Sequence, residues 1–107
     1  MDSYDAIPYN STPFTETHPT HLAAPARLFG LAAPDPERCR VLELGCASGG
    51  NLIPMAWYLR GSEFVGIELS FSQVAAGAAL IERLGLTNIR LQQGDILDVR
   101  DDLGQFD

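Results

Sequence analysis

The sequence predicts an α/β fold, an open sheet of parallel strands in the order 3-2-1 with helices packed against it. Three observations support this. The 107-residue chain is 46% apolar with a mean hydropathy of +0.02, the composition of a folded, water-soluble domain. From Arg40 onward, short apolar runs alternate with longer helix-patterned segments in the order β-α-β-α-β, which implies parallel pairing and right-handed crossovers. The first of these runs, Val41-Leu42-Glu43-Leu44, breaks into the glycine-rich turn Gly45-Cys46-Ala47-Ser48-Gly49-Gly50 before an apolar helix begins. Glycine permits backbone angles that other residues resist and lets a ligand approach the main chain closely.

The elements follow in order. Residues 1–37 read as an N-terminal arm and helix, and residues 38–107 as a partial cofactor-binding domain. The arm, 1–19, is rich in Pro, Ser, Thr and Tyr and has no sustained period. His18-Pro19-Thr20 offers a cap for a helix that runs through Leu28-Phe29 to Gly30, with Pro25 placed awkwardly inside it. A proline-containing linker covers 31–38. The first strand is Arg40 to Leu44, and its helix starts at Leu52 and closes near Gly61, with Pro54 tolerated in the first turns. The second strand is Glu63 to Glu68. Ser70 and Gln73 then form a capping box for a helix carrying Val74, Leu80, Ile81 and Leu84 and stopping at Gly85. The third strand is Asn88 to Gln93, followed by Gly94-Asp95 and a short apolar-acidic turn, Ile96 to Leu103. Phe106-Asp107 reads as the opening of a fourth strand, which in this topology lies beside the first. The expectation is the front part of a longer, incomplete sheet, with self-association through the open edge of the first strand as one consequence.

Composition excludes several function classes. Net charge is −7 and every basic side chain is arginine, so no surface matches a phosphate backbone and nucleic acid is not an expected partner. No apolar run approaches the ~18 residues of a membrane helix. The acidic start Met1-Asp2-Ser3-Tyr4-Asp5 lacks the layout of a signal peptide, which points to the cytoplasm. Cys39 and Cys46 flank one strand, too far apart for a disulfide and without the companions of a metal site. They read as small buried packing residues.

Three acids stand at strand ends. Glu43 lies two residues before Gly45, Glu68 ends the second strand, and Asp95 follows the third. In a 3-2-1 sheet all three open onto one crevice, where ligands bind. An acid at the end of the second strand can accept both hydroxyls of a ribose, and one after the third can hold an adenine amino group. Each also has a structural alternative. Glu43 could simply favour the following helix, and Asp95 could cap the turn at Ile96. Glu68 has the weakest alternative, because Ser70 already supplies the helix cap. His18 and His21 read as helix caps or decoration, and Met55, Trp57 and Leu59 as sheet-packing core. Asp98, Asp101 and Asp102 read as a solvated turn. Tyr9 and Phe14 are candidates for a lid folded back from the arm.

Glu43-Leu44-Gly45-Cys46-Ala47-Ser48-Gly49, Gly66-Ile67-Glu68-Leu69-Ser70 and Gly94-Asp95-Ile96 resemble the first three motifs of class I S-adenosylmethionine-dependent methyltransferases. The resemblance runs from about Arg40 to Asp107 and implies a Rossmann-like three-layer sandwich, the first half of a seven-stranded fold. It implies S-adenosylmethionine as cofactor, with Gly45, Cys46, Ala47, Gly49 and Asn51 around its methionine part and Glu43 orienting the amino group. Glu68 would take the ribose hydroxyls, Leu69 would pack on the adenine, and Asp95 with the Ile96 amide would read the adenine edge. The family's middle glycine is Ala47 here. Ser3-Tyr4-Asp5, Pro8-Tyr9-Asn10-Ser11, Thr17-His18-Pro19 and Gly49-Gly50-Asn51-Leu52-Ile53-Pro54 resemble a bacterial subgroup that carries a methyltransferase regulatory domain and is described as protein-lysine methyltransferase-like. The methyl acceptor, a protein or a small molecule, and any catalytic base would come from beyond these motifs. Two alternatives stand beside this reading. One is a nicotinamide oxidoreductase, whose G-x-G-x-x-G Ala47 interrupts. The other is a non-catalytic half-domain completed by a partner.

Overall fold

The computed structural model describes residues 12–30, 32–99 and 101–107. Strand β1 (Arg40–Leu44) pairs in parallel with β2 (Glu63–Glu68), and β2 with β3 (Ile89–Gln93), giving the order β1-β2-β3. This is the expected 3-2-1 sheet. Helix α1 (Pro19–Leu28) precedes the sheet, α2 (Leu52–Tyr58) follows β1, and α3 (Phe71–Leu84) follows β2. Short 3₁₀ turns span Thr15–Thr17, Pro36–Arg38, Ile96–Asp98 and Asp101–Leu103.

Parallel register puts Val41, Phe64 and Ile89 in one row, and Glu43, Gly66 and Leu91 in the next. Residues facing each other across a ladder share a face, so this face is apolar at its base and acidic at its top. Its base packs against Leu52, Ile53, Met55, Ala56 and Leu59 of the α2 segment, with Leu86, Ile81 and Leu91 closing the core. On the opposite face, Ile67 looks across a cleft of about 420 Å³ toward Val99 and Leu103.

The helices differ from the sequence reading in three ways. Met55 and Leu59 are buried as expected, but Trp57 is 45% exposed. Two residues along a helix is a rotation of about 200°, which turns the indole away from the sheet. It stacks instead beneath the Arg60 guanidinium, 4.5 Å from the ring centre. Helix α2 ends at Tyr58 rather than near Gly61 because Asn88 clasps its exit, its Nδ2 lying 3.0–3.1 Å from the carbonyls of Ala56, Leu59 and Ser62. The Asn88 carbonyl accepts the Phe64 N–H of β2 at 2.8 Å, and β3 itself begins one residue later than expected, at Ile89. In α3 the buried positions are Gln73 and Gly77 with Ile81 partly covered, while Leu80 and Leu84 stay exposed. A helix face at i, i+4, i+8 therefore packs on the sheet, with glycine in the middle. A Cβ on Gly77 would meet Leu91 Cδ1 and stand 2.5 Å from the Ser48 carbonyl oxygen.

Local caps follow the sequence more closely. Ser70 Oγ accepts the Gln73 N–H at 3.3 Å, and Gly85 closes α3 in the left-handed conformation. His18 Nδ1 accepts the Thr20 N–H at 3.3 Å, while burial and the neighbouring His21 hold the His18 pKa down. That favours the neutral ring an acceptor needs. Pro25 sits within the continuous helix α1. Beside β1, Asp107 N–H donates to the Arg40 carbonyl at 2.8 Å, the Arg40 N–H donates to Asp107 Oδ2 at 2.9 Å, and the Arg40 guanidinium lies 4.6 Å from the Phe106 ring centre. Phe106-Asp107 thus begins along the β1 edge, where a fourth strand was expected.

Candidate cofactor site

Gly45, Ala47 and Gly49 carry the backbone reversal after β1, with φ of 72°, 51° and 84°. The Gly45 and Cys46 N–H groups both donate to the Ile67 carbonyl, at 2.8 and 3.2 Å, which binds the turn to the end of β2. A Cβ at Gly45 would enter open space, whereas one at Gly49 would stand 2.9 Å from Ile53 Cδ1. The turn is therefore open on its Gly45 side and packed on its Gly49 side. Ala47 is the only non-glycine residue with positive φ among the described residues, at a cost of about 1–2 kcal/mol.

Glu68 helps hold that conformation. Its Oε1 accepts the Ala47 N–H and its Oε2 accepts the Ser70 N–H, both at 2.9 Å. This corrects the expectation that the Ser70 cap leaves the carboxylate without a structural task. Ser70 Oγ serves Gln73, but the Ser70 backbone donor needs its own acceptor, and Glu68 supplies it. A carboxylate offers about four lone-pair sites. Two amides leave room for further donors on the crevice side.

Glu43 is half-buried, and its Oε2 accepts from Asn51 Nδ2 at 2.6 Å. Asn51 is 7% exposed and precedes α2, yet its side chain makes no cap bond there. It reaches the N-terminal arm instead, accepting the Phe14 N–H at Oδ1 (2.7 Å) and donating from Nδ2 to Thr17 Oγ1 (3.1 Å). Local sequence carried no signal for this long-range contact. Of the two lid candidates, Tyr9 lies outside the described residues. Phe14 touches the site through its backbone N–H, and the residue as a whole stays 57% exposed.

Asp95 Oδ1 accepts the Leu97 N–H at 3.0 Å and caps the Ile96–Asp98 turn, so its structural alternative is realised. It stands at the rim of the cleft bounded by Ile67, Gln92, Gly94, Val99 and Leu103. Leu69 and Ile96, 41% and 51% exposed, offer apolar surface near the ends of β2 and β3. Gly94 N–H donates to the Glu68 carbonyl at 3.0 Å and Gln93 Nε2 to the Leu69 carbonyl at 3.2 Å, which ties these two ends together.

Cys46 contributes backbone to the turn but sends its thiol into the core, 2% exposed. Burial, reinforced by the nearby Glu43 and Glu68 charges, pushes its pKa up to about 12. A thiol so held is a packing group rather than a nucleophile. Cys39 is likewise buried and unbridged, its backbone N–H donating to Ser62 Oγ at 3.0 Å.

Comparison with known proteins decides the family. A methyltransferase domain model matches residues 35–107. The chain belongs to this family. An uncharacterized protein of Rickettsia prowazekii is 45% identical over 104 residues, covering 97% of this chain and 19% of the relative. The structure of PKMT2 from Rickettsia typhi in complex with AdoHcy superposes with a TM-score of 0.87 at 35% identity, over 94% of this chain and 19% of that one. A tRNA (guanine-N(7)-)-methyltransferase of Burkholderia vietnamiensis is 38% identical over 72 residues, 67% of this chain and 26% of the enzyme. This chain thus spans about a fifth to a quarter of these relatives. The S-adenosylmethionine-dependent methyltransferase class expected from the motifs holds at the level of the family. The nicotinamide alternative gives way to it, and the partner-completed module is not favoured. No helix among the described residues is long and apolar enough to cross a membrane.

Proposed function

We propose that this chain is the cofactor-binding part of an S-adenosylmethionine-dependent methyltransferase whose acceptor is a protein. One observation carries the cofactor reading: Glu68 sits where β2 ends, bonded to the turn that follows β1, with Glu43 and Asp95 near the ends of the flanking strands. Bound there, the cofactor would supply a methyl group already made electrophilic by its sulfonium. The protein's task is then to orient and to exclude water. Glu43 would hold the ammonium of the methionine part, and the open side of Gly45 gives the backbone room to approach it. Glu68 would accept the ribose hydroxyls with the lone pairs its amides leave free. Leu69, Asp95 and Ile96 would flank the adenine. Calorimetric titration tests this: S-adenosylhomocysteine should bind and NAD should not, and tighter binding of NAD would overturn the reading.

Two observations favour a protein over RNA as acceptor. The likeness to PKMT2 extends over 94% of the chain and so takes in the arm, whereas the likeness to the tRNA enzyme covers 67%. The net charge of −7 and the lack of lysine also disfavour docking on phosphates. Transfer of label from S-adenosylmethionine to tRNA rather than protein, by the full-length enzyme, would reverse this choice. The two unbridged, buried cysteines fit a reducing, cytoplasmic compartment.

A further inference from the structure

We infer that Asn51 is a positioning residue that couples cofactor occupancy at Glu43 to the seating of the N-terminal arm. The inference rests on the cofactor reading above and extends it to a segment outside the cofactor motifs. A carboxylate only accepts, so the 2.6 Å contact with Glu43 Oε2 orients the Asn51 amide with Nδ2 toward Glu43. Oδ1 is thereby turned toward the arm, where it accepts the Phe14 N–H at 2.7 Å. The second Nδ2 hydrogen goes to Thr17 Oγ1, whose own proton goes to the Phe14 carbonyl at 3.0 Å. Asn51 thus donates to both Glu43 and Thr17 and accepts from Phe14, so the amide orientation that the carboxylate sets also fixes which groups of the arm it can bond.

The consequence is linkage. Glu43 has one oxygen engaged by Asn51, and its Oε1 has no bonding partner among the described residues. An ammonium placed there would immobilise the same carboxylate that orients Asn51. Ligand and arm then share one ordering cost, and each strengthens the other by the same factor. Asn51 is buried and makes no helix-cap bond, so its side-chain bonds are committed to this bridge.

The test uses the full-length protein, S-adenosylhomocysteine, amide hydrogen exchange and calorimetry. Saturating ligand should slow exchange at Phe14 and Thr17 by roughly fivefold or more. Phe14→Pro removes the arm's donor without touching the sheet and should weaken ligand affinity by a similar factor. Phe14→Ala keeps the N–H and should bind as the parent does. Asn51→Leu should abolish both the arm's protection and its response to ligand; if that variant fails to fold, the Phe14 pair still decides. Ligand binding with unchanged exchange at Phe14, or a Phe14→Pro variant of parental affinity, overturns the coupling alone. Absence of binding to the parent protein overturns the cofactor reading and the coupling with it.

Discussion

Replacing Glu68 with alanine separates the two roles assigned to it. Its carboxylate accepts two amide donors at 2.9 Å, one on the Ala47 turn and one at the α3 cap. Removing a charged acceptor leaves those donors to weaker partners, a loss of about 1–3 kcal/mol in stability. Cofactor binding adds ribose hydroxyls to the same group. A hydrogen bond to a charged partner contributes about 1.5–3 kcal/mol net. Because the ligand must share the carboxylate with two amides, one such bond is the appropriate estimate. About 2 kcal/mol corresponds to roughly a thirtyfold weaker Kd. The assay is calorimetric titration of Glu68→Ala with S-adenosylhomocysteine, in a full-length protein whose circular dichroism melt confirms folding. Affinity within twofold of the parent would refute the reasoning, however far the melting temperature had fallen.

Three further outcomes follow from the same geometry. Ala47→Gly relieves a left-handed alanine but loosens the unfolded chain, so a denaturant melt should show a net gain of up to about 1 kcal/mol. Gly77→Ala drives a methyl group toward Leu91 and the Ser48 carbonyl, which belongs to backbone that cannot swing aside; the same melt should show a loss of about 1–3 kcal/mol. Cys46, with its pKa raised to about 12, should resist iodoacetamide in the folded protein at pH 8 and react once unfolded, as mass spectrometry of the alkylated peptide would report. The sign of its pH linkage is also set. The unfolded thiol ionises near 9 and the folded one near 12, so Cys46 favours the fold fully below pH 9, and this contribution is lost as pH rises from 9 toward 12.

Legibility in the sequence tracked the range of the interaction. The β1 and β2 boundaries, the Ser70 cap and the Gly85 stop rest on period-two patterning or on contacts within four residues, and all are found in the structure. Trp57 departs from its expected burial because a count of apolar residues does not fix their angular position on a short helix. Helix α2 ends earlier than local patterning implies because Asn88, about 30 residues further on, sets its exit.

By itself the sequence determined the alternation of strands and helices, the glycine turn and the three acids at strand ends, since each depends on local backbone preference and spacing. Only the tertiary structure decided that Glu68 spans the turn and the α3 cap, that Asn51 joins Glu43 to the arm, and that Gly77 lets α3 press against Ser48. Each depends on a long-range contact, from Glu68 to Ala47, from Asn51 to Phe14 and from Gly77 to Ser48, linking residues 21 to 37 positions apart. No local pattern records them, because they exist only once parallel pairing has brought the strand ends side by side.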